Sequence, residues 1–466
     1  MTAPRLRELR DLAAATPQRR VRYVDLLRAV AITAVVVGHW LAVVVVADER
    51  GLHGHTLLAD LPWTHALTWL FQVIPVFFLV GGFANAASLH RWRERGAAVT
   101  GWLLARSARL VSPTTVLLAT LCGAAALARL AGADPVLVAT AVWLAAIPLW
   151  FLAAYLALIL LTPPLYATYQ RMGVWLPVLL AGLVAAGDAV RWHSPGSALP
   201  FANFLLAPLV AYTAGFAWQA GHLPSRPCAC ATVLVGGLGA LLLLTVAGPY
   251  PVSMINVPGA VVQNSSPPTV ALLALASAQL GLVLLLYERG ERLLRERARV
   301  WVAVVAANTV IMTVFLWHMS AVVLVVLALY ATGVLPAAPP GTASWLLTRL
   351  PWLALLSVML AGLVAVFGRF ETIPAPRLAT QRGLATPGLP GSPAKWTAAV
   401  IFGYAATALG LAGIASAGRV DHGLFGLATV PVLVFFAGAA LLRTARAAGG
   451  PVSRLGQGDI GPVSGR

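Results

Sequence analysis

Residues 22–40 read RYVDLLRAVAITAVVVGHW, a mostly apolar stretch with three ionisable side chains, Asp25, Arg28 and His39, spaced along it. The eleven residues from Arg28 to His39 turn an α-helix through about 1100°, within about 20° of whole turns, so all three side chains share one face. At about 1.5 Å per residue, His39 lies roughly 16 Å beyond Arg28, near the middle of a ~30 Å hydrocarbon layer if Arg28 is at a membrane surface. An ionisable residue at that depth is a candidate functional residue.

The composition places the chain among membrane proteins. Of its 466 residues, 59% are hydrophobic and only 10% are charged, and the mean hydropathy is +0.84. Soluble domains carry about 25% charged residues. The formal net charge of +17 fits anionic lipid headgroups and a bias of basic residues toward cytoplasmic loops, so no nucleic-acid partner is implied.

Windows of about 20 apolar residues predict an all-α fold, a polytopic transmembrane helix bundle of about twelve spans. The fifth is the weakest, and the region 134–149 is a lead-in, a re-entrant piece or the start of a long fourth helix broken at Pro148. The predicted spans are 28–47, 66–88, 107–131, 141–163, 174–190, 202–221, 229–248, 269–288, 308–333, 345–367, 396–417 and 423–443.

The basic residues test this count independently, because they collect in cytoplasmic loops. With the N-terminus in the cytoplasm, twenty-seven of the 32 fall inside. The five on the other side are Arg50, Arg129, Arg191, Arg349 and Arg419. Both termini are therefore predicted to be cytoplasmic, in a multi-pass protein of the plasma membrane. The first apolar run has no small-residue cleavage pattern, so we interpret it as a retained span.

This topology divides the chain into five parts. They are a basic N-terminal segment (1–27), a transmembrane domain (28–373), a Pro-rich cytoplasmic linker (374–395), two further transmembrane helices (396–443) and a cytoplasmic tail (444–466).

Metal and disulfide chemistry have little support. Cys122, Cys228 and Cys230 are too few and too unevenly spaced for a disulfide framework or a common metal pair. His53 and His55, in a glycine-flanked outer loop, lack a fixed ligand geometry. We expect no metal and no bound cofactor.

A second candidate site is Arg106-Ser107-Ala108-Arg109, at the cytoplasmic start of the third span. Residues three apart share a helix face, and two guanidinium groups there form a phosphate receptor. The alternative is that both are ordinary arginines of a cytoplasmic loop.

The predicted membrane interior contains few other polar groups. His318, Asn85, Gln72 and Asn308 lie there. The glutamates nearest the spans fall at or beyond their cytoplasmic ends, which argues against a proton-coupled carrier; they are Glu94, Glu288, Glu291, Glu296 and Glu371. A lone histidine on an apolar helix is usually a packing residue. For His39 the same-face Asp25 and Arg28 make a catalytic role equally plausible.

Several motifs occur in an order typical of one family. Asp25-x-x-Arg28 and His39 are followed by Pro75-Val76-Phe77-Phe78-Leu79-Val80-Gly81-Gly82-Phe83 and Arg106-x-x-Arg109-Leu110. Later come Leu149-Trp150-Phe151-Leu152 with Tyr155, Asn203-Phe204-Leu205, Val314-Phe315-Leu316-Trp317-His318 and Phe370-Glu371-Thr372-Ile373-Pro374. Over about residues 20–375 the chain resembles the integral-membrane acyltransferase-3 family of O-antigen, nodulation-factor and macrolide acylases. Gly81 stands where that family commonly has serine, Ala105 replaces a frequent basic residue, and the last two spans are additional to its usual ten-helix core.

The resemblance implies transfer of an acyl group, often acetyl, from cytoplasmic acyl-CoA, a co-substrate, to a hydroxyl of a sugar, glycan or related acceptor. His39 would be the general base or an acyl relay, and Asp25 would orient or neutralise Arg28. Arg28, Arg106 and Arg109 would bind the CoA phosphates. Trp150, His318 and Glu371 would have positioning roles.

Two other classes of function remain open. A transporter or flippase for a lipid-linked glycan or small molecule would also have twelve spans, but would spread polar features over both halves of the chain. A family member without activity would serve as a membrane partner. The cluster within the first 110 residues favours the enzyme.

Overall fold

The computed structural model describes residues 6–48, 51–194, 196–335, 338–371, 393–418, 420 and 423–448. Within them, twelve helical segments are long and apolar enough to cross a membrane, which confirms the predicted all-helical, twelve-span fold. These segments are Arg22–Ala42, Pro62–Glu94, Val99–Leu130, Pro135–Met172, Trp175–His193, Leu199–Gln219, Pro227–Ala247, Val270–Glu296, Ile311–Ala331, Ala343–Phe370, Lys395–Ser416 and Thr429–Ala447.

The described residues form seventeen α-helices and two β-strands. Their bounds are α1 Leu6–Ala14, α2 Arg22–Ala42, α3 Leu57–Asp60, α4 Thr68–Phe71, α5 Ile74–Glu94, α6 Val99–Leu130, α7 Pro135–Ala146, α8 Leu149–Met172, α9 Trp175–His193, α10 Asn203–Gln219, α11 Pro227–Leu242, α12 Val270–Glu296, α13 Ala298–Thr309, α14 Ile311–Ala331, α15 Ala343–Phe367, α16 Pro393–Ser416 and α17 Thr429–Ala448. The strands are β1 Val43–Asp48 and β2 Gly51–Thr56.

The first span differs from its prediction at both ends. Helix α2 begins at Arg22, and residues 43–47, predicted to be helical, form strand β1. Strand β1 pairs with β2 in an antiparallel hairpin, with Val43 opposite Thr56. The run of four valines from Val43 to Val46 is as apolar as a span, but β-branched residues favour a strand.

The ambiguous region 134–149 is the start of a long, broken fourth span. Asp134 caps α7 by accepting hydrogen bonds from the backbone N–H groups of Val136 and Leu137. The helix is interrupted after Ala146, and α8 begins at Leu149, directly after Pro148. Most of the predicted linker (374–395) and of the tail (444–466) lies outside the described residues.

Helices α5 and α10 approach each other at two glycines. A Cβ atom on Gly82 would collide with the carbonyl oxygen of Tyr212, and one on Gly215 would collide with that of Leu79. Small residues at such crossings let two helix backbones pack closely within a membrane. This contact fixes α10, which carries Tyr212, against α5, which carries Asn85.

The two additional C-terminal helices pack against the body of the bundle. Helix α16 contacts α8 and α6, and α17 contacts α6. Tyr404 of α16 is fully buried, and its hydroxyl donates a 2.7 Å hydrogen bond to the carbonyl oxygen of Leu103 in α6. The pair therefore supports the helix that carries Arg106 and Arg109.

The long loop between α11 and α12 is held by internal hydrogen bonds. Asn264 is fully buried and donates to the carbonyl oxygens of Pro251 and Ser253, at 2.6 and 2.9 Å. The hydroxyl of Tyr250 donates to Asp188, which also accepts from the N–H of Val270. The polar, uncharged side chains of this loop are therefore largely engaged in hydrogen bonds within the protein.

Candidate active site

The central feature of the bundle is a pair of histidines from α2 and α14. Nδ1 of His39 lies 2.9 Å from Nε2 of His318, and the two ring planes are 14° from parallel. His318 is fully buried. The residues are 279 positions apart in the chain, and the sequence alone did not pair them.

The backbone around His318 determines the protonation of the pair. Nδ1 of His318 lies 2.6 Å from the carbonyl oxygen of Phe315. A carbonyl oxygen only accepts, so Nδ1 of His318 carries the proton. When this ring is neutral, its Nε2 is an acceptor and Nδ1 of His39 is the donor. Nε2 of His39 is then the unprotonated nitrogen, with its lone pair available as a base.

Two tryptophans hold the helices of this pair in place. Nε1 of Trp40 donates to the carbonyl oxygen of His318 at 3.0 Å. Nε1 of Trp352, in α15, donates to the carbonyl oxygen of Trp40 at 3.0 Å. Both indole rings are buried. Helices α2, α14 and α15 are thus joined by hydrogen bonds next to the histidines.

The three candidate arginines occur together. Arg106 lies close enough to Arg28 and Arg109 for their like charges to repel, and near the hydroxyl groups of Tyr155 and Tyr212. We call Arg28, Arg106 and Arg109 the arginine cluster. Arg106 and Arg28 are half-buried and Arg109 is exposed, so the cluster leads from the surface into the bundle.

Arg106 is held by weak contacts that leave its guanidinium free to bind an anion. Nη2 lies 3.4 Å from the carbonyl oxygen of Ala84, and the guanidinium is 5.7 Å from the ring centre of Trp102. Beside it, Tyr212 accepts a 2.8 Å hydrogen bond from Asn85 and lies 2.6 Å from the hydroxyl of Thr162. Neither Tyr155 nor Tyr212 was assigned a role from the sequence.

Asp25 belongs to the N-terminal end of α2 and contacts arginines. Arg20 donates two hydrogen bonds to it, at 2.7 and 2.9 Å, while Arg28 is 3.5 Å away. The expected partner Arg28 is therefore the more distant of the two. Fourteen residues of helix, about 21 Å, separate Asp25 from His39.

Glu371 caps the helix that carries His318. Its carboxylate accepts hydrogen bonds from the backbone N–H groups of Met312 and Thr313, at 3.0 and 2.8 Å, and from the hydroxyl of Thr313 at 2.8 Å. Burial raises the pKa of Glu371 above its ordinary value, opposed by these hydrogen bonds and by nearby Arg109. Glu371 thus links the start of α14 to the arginine cluster.

Trp150 lies apart from the histidines. It is 44% exposed, packs edge-on against Phe151, and lines a small apolar cavity with Phe78 and Phe204. Phe151 packs against Phe315, which in turn lies beside His318, so two aromatic rings lie between Trp150 and the pair.

The described residues contain no cluster of three or more His, Cys, Asp or Glu side chains able to hold a metal ion. Of the outer-loop histidines, His55 pairs with a carboxylate, its Nε2 lying 2.7 Å from Oδ2 of Asp60.

Comparison with known proteins separates the last two helices from the rest of the chain. A family model described as an acyltransferase domain, of the acyltransferase-3 type, matches residues 21–368. No curated protein and no solved structure matches significantly. The matched region contains α2, the arginine cluster and the histidine pair, and ends before α16 and α17. Because it covers well over half of the sequence, this chain is a multi-pass membrane protein that belongs to the acyltransferase-3 family, a family of membrane acyltransferases.

Proposed function

We propose that the protein transfers an acyl group, typically acetyl, from cytoplasmic acyl-CoA to a hydroxyl of a sugar, glycan or related acceptor. The observation that carries this proposal is the hydrogen-bond chain from the carbonyl oxygen of Phe315 through His318 to His39. It leaves Nε2 of His39 as a base within the bundle. This arrangement is the one that a general base for hydroxyl attack requires.

In the proposed reaction, Nε2 of His39 takes the proton of the acceptor hydroxyl as its oxygen attacks the thioester carbonyl carbon. The C–O bond forms, the C–S bond breaks, and the proton returns to the departing sulfur. The products are an acyl ester and free CoA. His318 accepts from Nδ1–H of His39 throughout and helps to spread the charge of the transient imidazolium.

His39 as an acyl relay is the second form of this mechanism. In that case, Nε2 itself attacks the thioester, and the acyl group rests on the imidazole before it reaches the acceptor. Acyl-CoA labelled in its acyl group separates the two forms. Label that stays on the protein without acceptor, and is lost in His39→Ala, supports the relay.

The arginine cluster is the proposed site for the phosphates of the donor. Three guanidinium groups close to one another repel. Of the described carboxylates near them, Asp25 is already bound by Arg20, and Glu371 accepts three hydrogen bonds at the start of α14. A bound polyphosphate would neutralise this repulsion and accept several charge-assisted hydrogen bonds. Arg109 is exposed, so the donor has access.

Asp25, Glu371 and Trp150 are proposed as positioning residues. Asp25 fixes Arg20 and Arg28 at the start of α2, Glu371 fixes the start of α14, and Trp150 supports Phe151. We also propose that the arginine cluster faces the cytoplasm of a plasma membrane, with both termini on the same side, because basic residues concentrate in the loops at that end.

Release of CoA by the purified protein tests the proposal. With acetyl-CoA and an acceptor extract, His39→Ala is expected to lower kcat about 10²- to 10⁴-fold, the usual contribution of a general base. Arg106→Gln should mainly raise the KM for acetyl-CoA. Arg91→Gln, an arginine at the end of α5, is the matched control. CoA release that is unchanged in both His39→Ala and Arg106→Gln would contradict this mechanism.

A further inference from the structure

A cavity of about 270 Å³ lies beyond the C-terminal end of α2, the helix that carries His39. Its walls are strand β1, the segment before α15, and one face of α15. We call it the hairpin cavity. Its lining includes Val43, Pro339, Trp345, Thr348, Arg349 and Trp352. The volume equals that of about nine water molecules, enough for one sugar ring or a small anionic group.

Arg349 is the charged group of the hairpin cavity. Its Nη1 lies 3.5 Å from the carbonyl oxygen of Val43, at the outer limit of a hydrogen bond. Its Nε is buried and has no hydrogen-bond partner among the described residues. No acidic residue is among the described residues that line the cavity. A guanidinium has five N–H donors, so most of its donor capacity remains for a ligand.

Two indole rings hold this guanidinium in place. The guanidinium carbon of Arg349 is 4.0 Å from the ring centre of Trp345 and 5.7 Å from that of Trp352. Stacking on aromatic rings orients the planar fork of an arginine, which suits it to bind a phosphate or carboxylate with two parallel hydrogen bonds. Aromatic faces that line a cavity also suit the apolar face of a sugar ring.

Hydrogen bonds link the wall of the hairpin cavity to the candidate active site. Trp352 lines it and donates to the carbonyl oxygen of Trp40, the residue after His39. Trp40 in turn donates to the carbonyl oxygen of His318. A molecule bound beside Trp352 is thus separated from the histidine pair by one buried indole.

Arg349 and the arginine cluster lie at opposite ends of the bundle. Arg349 is in the second turn of α15, whereas Glu371, just beyond the end of this helix, is near Arg109. The 22 residues between them span about 33 Å, roughly the hydrocarbon thickness of a membrane.

We propose that the hairpin cavity binds a phosphate or carboxylate group of the acceptor, through Arg349. This inference rests on the proposed function. It makes the acceptor an acidic glycan or a phosphate-linked sugar that enters from the membrane face opposite the acyl donor. The acceptor hydroxyl then meets the histidine pair from one side and the thioester from the other.

The test measures binding of glucose 1-phosphate, with methyl glucoside as the neutral probe, to the full chain in phosphatidylcholine nanodiscs by calorimetry. All variants carry Arg106→Gln, so that the arginine cluster contributes little. We expect Arg349→Gln to weaken binding of glucose 1-phosphate at least tenfold and to leave methyl glucoside unchanged. Arg129→Gln, an arginine at the same end of the bundle, should change neither. Equal affinity for glucose 1-phosphate with and without Arg349 overturns the proposal.

A second pair of variants keeps Arg349 and its contacts with the hairpin. Thr348→Glu places a carboxylate in the cavity, and Thr348→Gln places a neutral side chain of the same size there. Loss of glucose 1-phosphate binding in the first variant alone supports an anion site. The same affinity in both contradicts it.

Phosphatidylglycerol nanodiscs distinguish an acceptor from a lipid headgroup. If the site binds a headgroup, this lipid will compete, and the Arg349-dependent binding of glucose 1-phosphate will disappear. That result would overturn the assignment to the acceptor, and retained binding supports it. None of these three experiments uses acyl-CoA, so failure here leaves the His39→Ala test of acyl transfer unaffected.

Discussion

The histidine pair depends on one backbone oxygen. The carbonyl oxygen of Phe315 requires a proton on Nδ1 of His318, and this proton determines which nitrogen of His39 is free to act as a base. Among the described residues, no charged side chain takes part in this orientation. In the proposed mechanism, His318 therefore takes the place that a carboxylate has in many catalytic triads, without adding a negative charge to the membrane interior.

Replacement of His318 tests this orientation. His318→Phe removes the acceptor for Nδ1–H of His39, and we expect kcat to fall about 10- to 100-fold, less than the loss of the base itself. His318→Gln keeps an acceptor oxygen and should lose less. The measurement is CoA release at saturating acetyl-CoA, with the melting temperature of each variant as the control for folding. A kcat of the Phe variant equal to that of wild type would contradict the role of His318.

Glu371 gives a prediction for pH. Its pKa is raised above the ordinary 4.5, first by burial, so the folded state holds its proton more tightly than the unfolded state. The resulting stabilisation is complete below pH 4.5 and is lost as the pH rises through the folded-state pKa. The difference in melting temperature between wild type and Glu371→Gln should therefore fall as the pH is raised from 4 to 8. A difference that grows with pH would contradict this sign.

At the scale of elements, hydropathy predicted the number of spans and missed the hairpin. The four valines from Val43 to Val46 satisfy an apolar window whether they form helix or strand, and only their pairing with β2 decides between the two. Contacts between helices that are distant in the chain could not be predicted from hydropathy either. His39 was selected by its helix face, whereas no spacing or motif indicated that His318 lies beside it. The arginine cluster was predictable in part, because Arg106 and Arg109 lie one helix turn apart.

The contact between α16 and α6 predicts a function for the helices outside the family domain. Tyr404→Phe removes the hydrogen bond to Leu103, which costs about 1 kcal/mol, and loosens α6 one turn before Arg106. We expect a lower melting temperature and a severalfold higher KM for acetyl-CoA, with kcat little changed. Tyr330→Phe, at an exposed tyrosine of α14, is the matched control. The same KM in both variants would show that α16 does not support the arginine cluster.

For the whole molecule, the orientation in the membrane can be measured with single cysteines. In a variant without the native cysteines, Arg292→Cys in α12 is expected to react with an impermeant maleimide only from the cytoplasm. Val261→Cys, fully exposed in the loop before α12, should react only from outside. Labelling of both positions from one side would contradict the twelve-span topology.

Arg28 and His39 are carried by one uninterrupted helix, which makes α2 a ruler. The distance from a phosphate held at Arg28 to a thioester carbon at His39 is set by eleven residues, about 16 Å. In the proposed donor, this length is constant whatever acyl group is attached. In this proposal, the length of α2 matches the distance between the donor's phosphate and its thioester and does not depend on the acyl group. Selection among acyl groups then depends on the side chains that surround the acyl group beyond His39. Insertion of four residues between the two would keep nearly the same face but lengthen the ruler by about 6 Å, leaving the thioester short of its base.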